Sequence, residues 1–250
     1  MKNNKLKFWL EEESASFLGW DFSRIDNRWH MEDLPWDYSK IVKKYLDKRD
    51  NLLDMGTGDG EYLLSLSHPL DKTYVTEGYP PNYQLCMKKL APLGIKVHFC
   101  DNDILPFDDD FFNLIINRHE SLSLSEVFRT LKPGGYFVTQ QVGAMNNYQL
   151  AEFILDTPHV VDVVNTLAYN LDLAKKIGFT MIERDEAYAS LKFFDIGALV
   201  YYAKIIQWEF PGFSVRKHFE KLNELDIKLK TNGFVDTIEH RYLIVLMKPL

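Results

Sequence analysis

From Asn51 onward, short apolar runs alternate with stretches whose apolar residues recur every three or four positions. Short runs bounded by turn residues read as strands and the longer periodic stretches as helices, the pattern of successive βαβ units. The expected strands are Leu52–Met55, Thr73–Thr76, Lys96–Phe99, Leu114–Asn117, Tyr136–Val142, Met181–Arg184 and Tyr242–Met247. Helices are expected over Trp36–Lys48, Glu61–Ser67, Asn82–Leu93, Ser123–Leu131 and Asn165–Ile177. The last two end at Lys132-Pro133-Gly134-Gly135 and at Gly178, residues suited to stopping a helix. This pattern predicts an α/β fold: a doubly wound, Rossmann-like, mostly parallel sheet of seven strands. Residues 36–186 and 231–250 form its core within a single domain spanning 1–250. Residues 1–35 are aromatic and irregular and read as an N-terminal cap. Residues 187–230, aromatic and then charged, are too long for a plain connection and read as a lid between strands six and seven.

Composition narrows the picture without changing it. The chain of 250 residues is 46% hydrophobic and 26% charged, an ordinary globular balance. Cys86 and Cys100 cannot make a disulfide framework. No apolar run nears the roughly 20 residues that cross a bilayer, and the first residues lack the uninterrupted apolar core of a signal peptide. A cytoplasmic protein without a membrane association is expected. The net charge of -7 argues against a nucleic-acid partner, which demands clustered cations. Lys40, Lys43, Lys44, Lys48 and Arg49 sit at helical spacing and read as a solvated helix face.

The segment Leu52-Leu53-Asp54-Met55-Gly56-Thr57-Gly58-Asp59-Gly60-Glu61 carries the strongest chemical signal. A strand ends in an acid, and glycine then occupies every second position before a helix, so the backbone turns tightly and lies open to a ligand. A dinucleotide fingerprint would place glycine at 61, where this chain has Glu61. The acids Asp54, Asp59 and Glu61 suit a cationic ligand better than a pyrophosphate. Glu77, with Gly78 after it, follows Asp54 at the distance where a strand-end carboxylate reaches a ribose. Two further segments stand out: Cys100-Asp101-Asn102-Asp103-Ile104-Leu105-Pro106-Phe107 with its continuation to Ile116, and Glu126-Val127-Phe128-Arg129-Thr130-Leu131-Lys132-Pro133-Gly134-Gly135.

In this order, over roughly residues 50–140, these segments resemble the motifs of the small-molecule class I S-adenosylmethionine-dependent methyltransferases. Their cofactor carries a sulfonium and an ammonium group, which Asp54 would attract. The resemblance implies that Gly56, Thr57 and Gly58 form the cofactor turn and that Glu77 and Gly78 meet the ribose. It implies that Asp101 contacts the adenine amino group and that the backbone of Asn102 contacts the ring. Asn113 stands where the family usually has Asp, a departure that concerns structure more than chemistry. The end of the fourth strand faces the methyl group in this fold, so Asn117 is expected on the methionine part. His119 and Glu120 are the candidates to orient or deprotonate the acceptor.

The run Asn117-Arg118-His119-Glu120 is not the N/D-P-P-Y/F motif of amino-group methyltransferases acting on DNA bases. Strand five is followed by Gln140 and Gln141 rather than by acids, so no metal is expected, and Asp108–Asp110 reads as a solvated loop. Aromatic residues Trp20, Trp29, Trp36, Tyr201, Tyr202, Trp208 and Phe210 suggest a cap over a small, apolar or flat acceptor. Two other readings stay open: a methyltransferase-like protein that binds the cofactor without catalysis, and a NAD-dependent oxidoreductase. An RNA or protein acceptor and the oligomeric state are left undecided.

Overall fold

A computed structural model describes residues 2–17, 21–102, 104–158 and 160–250; Trp20 of the expected cap and Asp103 of the third motif lie outside them. In chain order the elements are α1 (Lys2–Ser14), β1 (Trp29–Met31), α2 (Tyr38–Tyr45), β2 (Leu52–Met55), α3 (Glu61–Ser65), β3 (Thr73–Glu77), α4 (Pro80–Lys89) and β4 (Lys96–Phe99). There follow β5 (Phe112–Arg118), α5 (Leu124–Thr130), β6 (Leu131–Val142), α6 (Tyr148–Leu155), α7 (Leu167–Ile177), β7 (Thr180–Phe193), α8 (Ile196–Ile205), α9 (Phe219–Asn232) and β8 (Val235–Met247). The sheet has eight strands in the order β1-β7-β8-β6-β5-β2-β3-β4, one more than the seven expected. The addition is β1, three residues too short to leave a periodic signal, which pairs antiparallel with the end of β7 through Trp29 and Phe193.

Contacts divide the chain into two compact units, one of residues 35–143, 163–186 and 241–250, the other of 1–34, 144–162 and 187–240. The strands β7 and β8 pass through the boundary. Residues 144–162, expected in the core of the sheet domain, and 231–240 group instead with the flanking segments.

In the first of these units β2 pairs in parallel with β3 on one side and β5 on the other, β3 with β4, and β5 with β6. The β6–β8 pair is antiparallel, with Val138 opposite Val245. The period-two alternation of each strand sorts its apolar residues between two layers. Leu52, Leu114, Ile116, Val138, Leu243 and Val245 pack with Val42 of α2, Leu63 of α3 and Cys86 of α4. Their neighbours Leu53, Ile115, Phe137, Ile244 and Leu246 pack with Leu124 and Val127 of α5 and Ala174 of α7. Helices thus cover both faces, and β2 is buried along its whole length. The chain winds outward from β2 to β4 and then returns to β5 on the other side of β2. That reversal is the crevice where open α/β sheets bind ligands.

The second unit is built around α8, in which Ile196 to Ala203 are all buried. A helix apolar all round must be enclosed by other elements, and here α1, α6 and α9 contribute Trp9, Leu150, Ile154, Phe219, Leu222 and Leu225 to one cluster with it. Asp195 caps α8 by accepting from Ala198 N at 2.9 Å and also receives the guanidinium of Arg28 at 2.7 and 2.8 Å. Tyr201, Tyr202 and Phe210, expected in a cap, are buried core of this unit, whereas Trp208 is 64% exposed. Residues 187–193, expected to begin the lid, are the second half of β7. Among the described residues no helix is long and apolar enough to cross a membrane.

Candidate active site

The parallel strands β4, β3, β2 and β5 end side by side, and their register brings Asp54 level with Val75 and Ile116, and Glu77 level with Phe99. The acids of the expected site therefore come from adjacent strand ends, Asp54 within β2 and Glu77 closing β3. Beyond β2 the chain reverses through Gly56 (φ +64°), Gly58 (φ +63°) and Gly60 (φ +79°), a left-handed backbone that side chains with a Cβ rarely adopt. Gly56 N and Thr57 N donate to Thr76 O at 3.0 and 3.3 Å, tying the turn to β3.

Glu77 is buried, and its two carboxylate oxygens accept from Gly58 N and Tyr79 N, both at 3.0 Å. Each oxygen keeps a second lone pair for a ligand hydroxyl. Gly78 lets β3 and β4 approach closely: a Cβ there would lie 2.6 Å from Cys100 O. Asp101 and Asn102 follow β4 and are exposed. The Asn102 side chain accepts from Ile104 N at 2.9 Å, shaping its own loop.

The turn has one occupied and one open side. A Cβ on Gly56 would come within 2.5 Å of the Glu120 side chain, whereas a Cβ on Gly58 would meet nothing within 4 Å. Glu120 thus lies against the glycine turn. The helix start beyond the turn offers little to a ligand, because α3 has five residues and Glu61 N already donates to Asp59 Oδ1 at 3.1 Å.

Asp54 is buried, and among the described residues no hydrogen bond to its carboxylate is found. Burial pushes its pKa up to about 7; the Thr57 hydroxyl and the charge of Arg118 pull it down, and Glu77 pushes it up further. The Thr57 hydroxyl lies near enough to influence Asp54 but outside hydrogen-bonding geometry, since its buried Oγ1 has no hydrogen-bond partner. A buried carboxylate without a paired cation is a site that a cationic ligand would relieve.

Asn117 is fully buried near the end of β5. Its Oδ1 accepts from Gln141 Nε2 at 2.7 Å and Glu120 N at 3.2 Å, which leaves Nδ2 as a buried donor without a partner. A glycine with open space at Gly58, a buried unpaired acid and a buried unused amide donor fit an amino-acid-bearing nucleoside with its ammonium, carboxylate and ribose hydroxyls.

His119 has a positive φ of 69° and leaves β5 with its backbone N–H donated to Gln140 O at 2.9 Å. Its Nε2 lies 3.0 Å from Gln140 Nε2, while Gln140 Oε1 accepts from Trp36 Nε1 at 2.7 Å. Desolvation, then the charges of Arg241 and Arg118, hold the imidazole well below the ordinary histidine pKa. More than a third of the residue is open to solvent. Trp36, Gln140 and Gln141 were not singled out as site residues by sequence reasoning. The glutamines registered only as the absence of acids, and no sequence spacing links position 36 to 119 and 140. Among the described residues no group of three or more His, Cys, Asp or Glu is arranged to hold a metal ion.

Residues 53–139, the span that holds this turn and all four strand ends, match the family model of a methyltransferase domain. A ubiquinone/menaquinone biosynthesis C-methyltransferase of Desulfotalea psychrophila is 31% identical over 113 residues, which are 42% of this chain and 46% of the relative. A phthiotriol/phenolphthiotriol dimycocerosates methyltransferase of Mycobacterium tuberculosis is 33% identical over 87 residues, 32% of each chain. The chain thus spans less than half the length of the curated relatives it matches. Among solved structures, the YcgJ protein of Bacillus subtilis superposes with a TM-score of 0.57 at 18% identity, covering 85% of this chain and 98% of that one, a likeness of fold. Over residues 53–139 the chain is thus similar to a methyltransferase domain, and that span holds the strand ends and glycine turn described above.

Proposed function

We propose that this protein transfers a methyl group from S-adenosylmethionine to a small, apolar or aromatic acceptor. The observation that carries the reading is the pairing of Asp54, a buried carboxylate without a cation, with Asn117 Nδ2, a buried donor without an acceptor, on neighbouring strands beside the open face of Gly58. An ammonium and a carboxylate on one ligand answer both. Glu77, already holding the turn, offers its remaining lone pairs to the ribose hydroxyls, and Gly78 keeps the β3 and β4 ends close beneath it. Asp101 and Asn102 extend the same ledge toward the adenine. When bound, the cofactor supplies an already activated methyl electrophile, so the protein's task is alignment of the acceptor.

The acceptor class is supported by the aromatic residues noted in the sequence and by relatives named for ubiquinone/menaquinone biosynthesis and for phthiotriol/phenolphthiotriol dimycocerosates. The test is thermal melting with S-adenosylmethionine, S-adenosylhomocysteine and NAD. A ligand at a hundredfold excess over its Kd stabilises the native state by about 2.7 kcal/mol, so the sulfur ligands should raise Tm and NAD should not. Transfer of label from methyl-labelled cofactor into a cell extract then reads the reaction. A flat melting response to both sulfur ligands at millimolar concentration would sink the proposal.

A further inference from the structure

The hydrogen bonds around His119 fix which of its nitrogens carries the proton. An indole N–H can only donate, so the Gln140 atom 2.7 Å from Trp36 Nε1 is the amide oxygen. The other end of that amide, 3.0 Å from His119 Nε2, is therefore NH2 and can only donate. His119 Nε2 must accept, and in a neutral imidazole the proton then resides on Nδ1. Gln140 cannot turn over without setting its NH2 against the indole N–H. It is buried at 7% exposure, and its backbone is paired in β6 opposite Arg118, next to His119. The left-handed backbone at His119, secured by its N–H bond to Gln140 O, holds the ring at this station.

We propose that His119 is a fixed hydrogen-bond donor, presenting Nδ1–H to an oxygen of the methyl acceptor, and that Gln140 and Trp36 are positioning residues that lock this tautomer. The one lone pair that could take a proton, on Nε2, is committed to Gln140, so of the two expected roles, orienting or deprotonating the acceptor, this arrangement favours the first. Among the described residues Nδ1 has no hydrogen-bond partner, and His119 is more than a third exposed, which leaves that nitrogen available to a ligand. The acceptor it suits has an oxygen rich in lone pairs, an aromatic or enol oxyanion or a carbonyl. Such an acceptor reaches the site without needing His119 to remove its proton. Desolvation and the nearby Arg241 and Arg118 disfavour the imidazolium, consistent with a neutral ring.

The role in catalysis rests on the methyltransferase reading, but the tautomer does not, and the experiment separates them. Long-range proton–nitrogen correlation spectra of the protein labelled with 15N-histidine, with His119 assigned by its loss in His119→Asn, report each ring nitrogen directly. The expected spectrum at pH 7 has a protonated Nδ1 and a lone-pair Nε2; a protonated Nε2 overturns the inference. Gln140→Glu presents a carboxylate oxygen in place of the NH2 and should reverse the pattern. Should that variant fold poorly, Trp36→Phe frees the amide to rotate and should give a mixture of tautomers; an unchanged single tautomer there would overturn the lock. The ligand class is read with 4-nitrophenolate and nitrobenzene in the presence of S-adenosylhomocysteine. The oxyanion should shift the Nδ1–H resonance and nitrobenzene should not; equal responses, or none from either at millimolar concentration, overturn the donor role. Calorimetry with S-adenosylhomocysteine runs alongside. No binding there removes the methyltransferase reading and leaves the tautomer standing.

Discussion

Asp54→Asn tests the electrostatics of the site most directly. The ordinary Asp54 pKa of 3.8 rises to about 7 in the folded chain because burial penalises the charged form. Between those two values the folded state binds a proton that the unfolded state has already lost. Stability therefore falls as pH rises from about 4 to about 7, opposite to the usual behaviour of a paired carboxylate. At about 1.4 kcal/mol per pH unit the loss approaches 4 kcal/mol above pH 7. Asparagine is close in shape to the protonated acid and cannot ionise. The variant should match the native protein near pH 4 and exceed it by up to about 4 kcal/mol at pH 8. Urea unfolding across this range gives the difference curve, from which titrations common to both proteins, His119 included, cancel. Binding should report the same group with the opposite preference. A ligand ammonium beside Asp54 favours its ionised form, so S-adenosylhomocysteine should release close to one proton on binding at pH 6, measured by calorimetry in buffers of different ionisation enthalpy. The variant should bind more weakly and release none. A native-minus-variant stability difference that stays flat from pH 4 to pH 8 would refute the reasoning.

Three further substitutions follow from the same geometry. Glu77→Ala removes the acceptor of two backbone N–H groups, each bond to a charged group being worth roughly 1.5–3 kcal/mol, so urea unfolding should show a loss of about 3–6 kcal/mol together with weaker S-adenosylhomocysteine binding; undiminished stability would remove Glu77 as the clasp of the turn. Gly58→Ala meets open space and should cost only the left-handed backbone strain of about 1–2 kcal/mol, whereas Gly56→Ala adds a clash with Glu120 and should cost more, and equal losses would show that Glu120 yields freely. Trp208→Ala, at a residue 64% exposed, should change stability by about 0.5 kcal/mol or less, and a drop of the size seen for core aromatics would contradict its exposure.

Elements whose boundaries depend on local signals were legible in the chain. Leu52–Met55 and Lys96–Phe99 are strands over the expected residues, since each is a short apolar run between turn residues. Boundaries set by partners distant in sequence were not. β7 continues to Phe193, past the expected Arg184, and its last residues pair with β1. The aromatic composition of that stretch suggested a lid because Phe193, Tyr201 and Tyr202 carry the same letters whether they line a cap or fill a core. The Lys132-Pro133-Gly134-Gly135 run was read as a helix stop. In fact α5 closes at Thr130 and Leu131 already pairs with Phe112, with the register shifting before Leu114.

The same division runs through the site. Asp54, the glycines and Glu77 announced themselves because a turn and two strand ends are local, and their spacing is fixed by backbone geometry. What each group does was not local. Glu77 was expected only to meet a ribose, yet both its oxygens also hold backbone N–H groups. His119 read as a residue to orient or deprotonate the acceptor, and its hydrogen-bond neighbours Gln140 and, through it, Trp36 are brought to it only by the fold. Burial makes these two ionisable groups complementary: it raises the pKa of Asp54 and lowers that of His119, so both favour the uncharged form in the free protein. A cationic cofactor restores the charge of Asp54 and gives His119 no reason to gain one. If the proposed cofactor binds there, Asp54 becomes an anion only on binding while His119 stays neutral, so the two groups respond to the ligand in different ways.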